Sequence, residues 1–300
     1  MSHRRASRFA KEASEIKGRI IRGVGGSYYV ACAGDIYKCA AKGIFRNKGL
    51  TPMVGDYVDF EITHAPDYEG SIVQIHRRIN MLERPKVANI DQAVFVVALK
   101  SPSLNLDMLD KFLVLAEKQE IDAMIALNKI DLSETGESEA LSKLYKDIGY
   151  RVVSVSAASG IGLEELLDEM KGKVSVMAGA SGVGKSSLVN SLAPGIDLQT
   201  GLLSQRIERG RHTTRHAQLI EVGIDTFIVD SPGFSNLEAL NLKPGELSIF
   251  FREFSRAGQC HFRNCLHLEE PGCAVRQAIG LCISQERYQR YKNILQRLGG

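Results

Sequence analysis

Asn128-Lys129-Ile130-Asp131 reads N-K-x-D, a spacing that can recognise guanine. A carboxylate at Asp131 can accept from both the N1–H and the exocyclic N2–H₂ of guanine, a donor pair that adenine lacks. An unpaired buried carboxylate then penalises the wrong base. Asn128 would tie the loop to a neighbouring phosphate loop and touch the base, and the aliphatic stem of Lys129 would cover the ring. Gly179-Ala180-Ser181-Gly182-Val183-Gly184-Lys185-Ser186 reads G-x-x-x-x-G-K-S. Its glycines let backbone N–H groups close around phosphate oxygens at the positive end of the helix that follows. Lys185 would reach the β- and γ-phosphates, and the Ser186 hydroxyl would sit on Mg²⁺.

Further segments complete the set. Ser156-Ala157 follows N-K-x-D by one αβ unit and fits a second base-contacting loop. Asp230-Ser231-Pro232-Gly233 ends a strand and fits D-x-x-G, with Asp230 on Mg²⁺ through water and the Gly233 amide sensing the γ-phosphate. Between them a polar loop carries Thr213 and Thr214, either of which suits the switch threonine that completes the Mg²⁺ shell. Phe234 stands where Ras-like enzymes place a Gln, and an apolar ring cannot orient water. Slow unassisted hydrolysis follows, and His212 is the candidate to position the attacking water. The order is base reader, second base loop, P-loop, switch threonine, D-x-x-G. Ordinary GTPases place the P-loop first, so the chain reads as circularly permuted. Surface termini relocate at little cost. The switch segment then leads straight into the C-terminal region.

A separate chemistry lies near the C-terminus. Cys260, Cys265, His267 and Cys273 form C-x₄-C-x-H-x₅-C, three thiolates and an imidazole that match a closed, structural tetrahedral Zn²⁺ site. His261 is an alternative ligand; Cys282 lies too far along, and Cys32 and Cys39 read as core residues of strands.

The elements that must position these groups are legible in outline. Residues 1–16 form a basic extension. Over 17–80, short apolar strands alternate with Gly and Asp turns: Arg19–Arg22, Ser27–Cys32, Ile36–Cys39, Asp56–Ile62 and Ser71–Ile75. Five strands without helical periodicity predict a small closed barrel; an OB-fold fits the length, and other small barrels fit the pattern nearly as well. Over 81–237, strands at 92–99, 121–127, 150–155 and 173–178 alternate with helical spacing at 106–120, 137–148, 162–171 and from Lys185 to Leu192. This pattern predicts a parallel sheet with helices on both faces. Leu219–Val222 and Asp225–Val229 add two strands. Residues 238–300 lose strand character and read as helical around the Cys/His cluster.

Composition excludes some classes. With 300 residues and 44% hydrophobic content, the chain buries a core and forms more than one domain. No apolar run approaches the roughly 18 residues of a membrane span. The N-terminus lacks the apolar stretch of a secretory signal, so the expectation is a cytoplasmic protein without disulfides. A net charge of +3 does not by itself imply nucleic acid, although the N-terminal extension and residues 205–216 are locally basic.

The quoted motifs, together with G-R-H-T-T-R at 210–215 and D-S-P-G-F at 230–234, resemble the ribosome small subunit-dependent GTPase A family over essentially the whole chain. The resemblance implies an N-terminal OB-fold, a permuted P-loop GTPase domain and a C-terminal zinc domain. It assigns guanine-nucleotide roles to Asn128, Lys129, Asp131 and Gly179 through Ser187, and zinc ligation to Cys260, Cys265, His267 and Cys273. It also implies the partner: the small ribosomal subunit and its rRNA, late in assembly, with that subunit stimulating hydrolysis. Nothing in the sequence suggests other than a monomer.

Overall fold

A computed structural model describes residues 16–43, 45, 49–83, 85–134, 136–193, 217–230 and 242–299. The chain divides into two compact units, 1–90 with 172–174 and 204–233, and 91–171 with 175–203 and 234–300.

The first unit is built on five strands: β1 (Ile16–Val24), β2 (Ser27–Cys32), β3 (Asp35–Ala41), β4 (Tyr57–His64) and β5 (Glu69–Ile75). They run β1-β2-β3-β5-β4, and β4 pairs back onto β1, so the sheet closes. That is the five-stranded OB arrangement, and closure removes unpaired edges. Alternation aims Ile20, Val30, Cys39, Val58, Phe60 and Ile72 into one core, each nearly or fully buried. Tyr57 and Tyr68 stay exposed. Arg78 clasps the buried Asp56 carboxylate through Nε and Nη2 at 2.7 and 2.8 Å, and the paired carboxylate holds the guanidinium above its ordinary pKa. A hairpin of β6 (Met81–Glu83) and β7 (Lys86–Ala88) is fastened to the barrel by Asn89, which donates to Gly55 O at 3.0 Å. Strands β12 (Gln218–Gly223) and β13 (Thr226–Asp230) form a second hairpin, whose Gln218 pairs with Arg22 of β1.

The second unit holds a parallel sheet in the order β10 (Arg151–Ser154), β9 (Asp122–Asn128), β8 (Gln92–Ala98), β11 (Val174–Ala178). β8 and β11 are buried throughout, as strands covered on both faces must be. Helices α1 (Leu106–Lys118), α2 (Glu137–Ile148), α3 (Leu163–Met170) and α4 (Lys185–Leu192) connect or follow these strands. Asn105 caps α1, its side chain accepting from Met108 N at 2.9 Å.

Residues 242–299 are less helical than their composition suggests. They form 3-10 turns at Pro244–Phe250 and Arg252–Ala257, a four-residue helix α5 (Ala274–Gln277) and one long helix, α6 (Gln285–Gly299). Pro244, Pro271 and the left-handed glycines at 258, 272 and 280 interrupt longer helices. The core here, with Leu247, Phe251, Phe254, Tyr291 and Ile294, is shared with Val114 of α1.

Candidate functional site

The register of the parallel sheet sets the base reader beside the phosphate loop. Ala98 of β8 pairs with Asn128 at the end of β9, and Ala178 at the end of β11 pairs with Phe95 of β8. The loops that leave these strands therefore emerge at one end of the sheet, where ligands of open α/β sheets bind. Asn128 is buried and joins three segments: its Nδ2 donates to Val183 O at 2.8 Å, and its Oδ1 accepts from Ala157 N at 3.3 Å. Gly184 sits at φ +97°, and a Cβ there would lie 2.3 Å from Asn128 Nδ2. The loop has no room for a side chain at the point where Asn128 crosses it.

Lys129 adopts a left-handed conformation, which turns its side chain back along the P-loop. Its Nζ donates to Gly182 O at 2.8 Å and also to Ser101 O. Asp131 is exposed, and one of its oxygens accepts from the buried Ser156 hydroxyl at 2.5 Å. Ser156 Oγ accepts in turn from Ser159 N at 3.2 Å. This hydrogen bond orients the exposed carboxylate.

Beyond Gly179, the P-loop exposes Ser181 and Gly182 and buries Val183. Gly179 (φ +152°) approaches β8 so closely that a Cβ would fall 2.2 Å from Val96 O. Lys185 opens α4, and its Nζ lies across the loop, donating to Gly179 O at 2.8 Å and Ala180 O at 2.7 Å. Burial lowers its pKa, so the ammonium gains from a nearby anion. Ser186 and Ser187 are half-buried in the first turn of α4.

The four metal-ligand candidates also meet. Ligand atoms of Cys260, Cys265, His267 and Cys273 all lie within 4.8 Å of one another. His267 Nδ1 is 3.5 Å from Cys260 Sγ and 3.4 Å from Cys273 Sγ, and the two sulfurs are 3.9 Å apart. Tetrahedral Zn²⁺ requires ligand separations of about 3.6–3.8 Å. Three sulfurs and an imidazole nitrogen at these separations offer one cation four donors. The donor set therefore fits zinc. Glu270 braces the ligand loop, accepting from Leu266 N at 2.7 Å and Leu268 N at 2.8 Å on either side of His267. His261 is exposed, its ring edge-on to Phe262, and Cys282 is exposed.

Residues 75–240 match the family model described as RsgA GTPase, and residues 17–72 match the RsgA N-terminal domain. The chain belongs to the RsgA GTPase family. It is a GTP hydrolase with a circularly permuted GTPase fold. Relatives named small ribosomal subunit biogenesis GTPase RsgA include those of Alkaliphilus metalliredigens, 44% identical over 94% of this chain and 97% of that protein, and Caldanaerobacter subterraneus subsp. tengcongensis, 42% identical over 94% and 96%. The crystal structure of YjeQ from Thermotoga maritima is similar with a TM-score of 0.82 at 36% identity, covering 95% of this chain and 99% of that one. The structure of YloQ, titled a circularly permuted GTPase, is similar with a TM-score of 0.79 at 33% identity, covering 98% of each.

Within this RsgA-family chain the base reader, second base loop and P-loop come together. Asp230 ends β13, and its side chain lies outside the described residues. His212, Thr213, Thr214, Gly233 and Phe234 lie outside them too. Sequence reasoning passed over Ser101, whose carbonyl receives Lys129, and Glu270. A backbone acceptor leaves no trace in residue type, and Glu270 resembles any surface acid.

Proposed function

We propose that this chain is a GTPase of small ribosomal subunit biogenesis whose hydrolysis of GTP to GDP and phosphate is stimulated by that subunit and coupled to release from it. The observation that carries the nucleotide reading is Asn128, which hydrogen-bonds to both the P-loop and the second base loop. The printed names of the relatives support the ribosomal reading.

Asp131 accepts from the guanine edge, and Lys129 covers its face. The amides of Gly179 through Ser187 and the Lys185 ammonium hold the phosphates. Ser186, Asp230 through water, and Thr213 or Thr214 hold Mg²⁺, which neutralises charge on the β- and γ-oxygens when bound. His212 positions the attacking water, because Phe234 cannot. Water attacks the γ-phosphorus, the bond to the β–γ bridging oxygen breaks, and the Gly233 amide registers loss of the γ-phosphate. The division proposed is a basic extension at 1–16, an OB barrel at 17–80, the permuted GTPase domain at 81–237 and a zinc region at 238–300. The barrel and basic extension suit rRNA contact, in a cytoplasmic, monomeric protein. No helix among the described residues is long and apolar enough to cross a membrane.

The test is GTP turnover with and without purified small ribosomal subunits. We expect strong acceleration, absent in Lys185→Ala and reduced by roughly 10²-fold or more in His212→Ala. Equal turnover with and without subunits removes the ribosome from the reading. Equal stimulated rates for wild type and His212→Ala remove the histidine alone. For the metal, purified wild-type protein should carry one zinc and Cys273→Ala should lose it; full zinc retention in the variant refutes the ligand set.

A further inference from the structure

Helix α6 holds the metal loop at one face and the GTPase half at another. Tyr288 donates from its hydroxyl to His267 O at 2.6 Å, and Tyr291 donates to Leu266 O at 2.8 Å. Both acceptors are on the ligand-bearing turn. From the same helix, Arg287 and Arg290 reach the two carboxylate oxygens of Asp110 on α1. Tyr145 of α2 donates to Asp110 Oδ1 at 2.8 Å, and Arg287 Nε donates to Glu253 Oε1 at 2.6 Å. The side chains of Arg287 and Asp110 are fully buried.

Helix α1 also lies beside the nucleotide loop. Leu109, beside Asp110, and Met108 and Phe112 line a small cavity with Gly179, Ala180 and Val183 of the P-loop. A second fastening runs through the 3-10 turn at Arg252–Ala257. Arg252 donates to Gly149 O at 2.7 Å and Arg256 to Ile148 O at 2.8 Å, satisfying carbonyls at the end of α2. α2 lies in the chain between the two base-contacting loops. A buried carboxylate held by three donors cannot shift without stranding charge, so the node transmits a displacement rather than absorbing it.

We infer that metal binding at the Cys/His cluster and guanine-nucleotide binding strengthen each other through α6, Asp110 and α1, with Asp110 a positioning residue for both sites. The inference rests on the proposed zinc and nucleotide sites and adds an energetic link between them. It also implies that residues 242–299 are anchored to the GTPase half by side chains, besides the covalent connection from the switch segment.

The experiment measures affinity for a fluorescent GDP on the full chain with zinc bound and after removal by a chelator, and zinc affinity by chelator competition with and without GDP. Removing zinc should weaken GDP binding by about fivefold or more, and withholding GDP should weaken zinc binding by the same factor, because coupling is reciprocal. Arg290→Gln and the milder Tyr288→Phe should each bring that factor toward one. Wild-type affinities that agree within about twofold across the four conditions overturn the inference and leave both sites standing. Wild-type protein that binds zinc or GDP in no condition overturns the site reading itself, and the inference with it.

Discussion

Asp131→Asn should shift the chain's preference from guanine to xanthine nucleotides. Ser156 pins one oxygen of Asp131 at 2.5 Å and leaves the carboxylate exposed toward solvent. Guanine offers that carboxylate two donors. An asparagine replaces an acceptor with an NH₂ that opposes the exocyclic amine of guanine, whereas xanthine presents an oxygen there. Two hydrogen bonds to a charged group contribute on the order of 3–6 kcal/mol, roughly 10²- to 10⁴-fold in affinity. Calorimetric titration with GDP and XDP measures both sides of the switch. Wild-type GDP affinity in the variant would mean that Asp131 does not read the base, and adenine would no longer be excluded by this residue.

Asp110→Ala should be among the most damaging substitutions for stability. It leaves the buried guanidinium groups of Arg287 and Arg290 without their carboxylate and removes the acceptor of the Tyr145 hydroxyl. Arg287 keeps Glu253, whose Oε1 accepts from its Nε at 2.6 Å, but Arg290 loses its ion pair with Asp110. Breaking a buried pair from one side costs about 3–5 kcal/mol. Asp147→Ala, which removes the exposed partner of Lys143 on α2, should cost under about 1 kcal/mol. Urea unfolding followed by circular dichroism compares the two. Equal midpoints would mean that the buried node contributes no more than a surface pair.

Asp110 also marks where sequence reading stops. In Leu106-Asp107-Met108-Leu109-Asp110-Lys111-Phe112 it looks like an ordinary solvent-facing acid of an amphipathic helix. Its partners lie 177 and 180 residues further along the chain. No local period carries that pairing, because a side chain's burial depends on which elements pack over it. The same holds for Glu270, whose two backbone acceptances depend on how the turn around His267 folds, and for the carbonyl of Ser101.

The sequence by itself determined the nucleotide chemistry, the permuted order and the four candidate metal ligands. Phosphate cradling, guanine reading and zinc ligation each need particular residue types at short spacing, and short spacing survives in one dimension. The strands of the barrel and the αβ alternation were legible for a related reason: periods of 2 and 3.6 are local. Which strands close the barrel was decided only in three dimensions, by β4 pairing onto β1. So was the meeting of Asn128 with Val183 and Ala157, which follows from parallel register between strands far apart in the chain. The tertiary structure alone also decided that the Cys/His region shares its core and its buried charges with α1. Long-range packing selects such partners by shape and charge, and neither is written in the spacing of neighbouring residues.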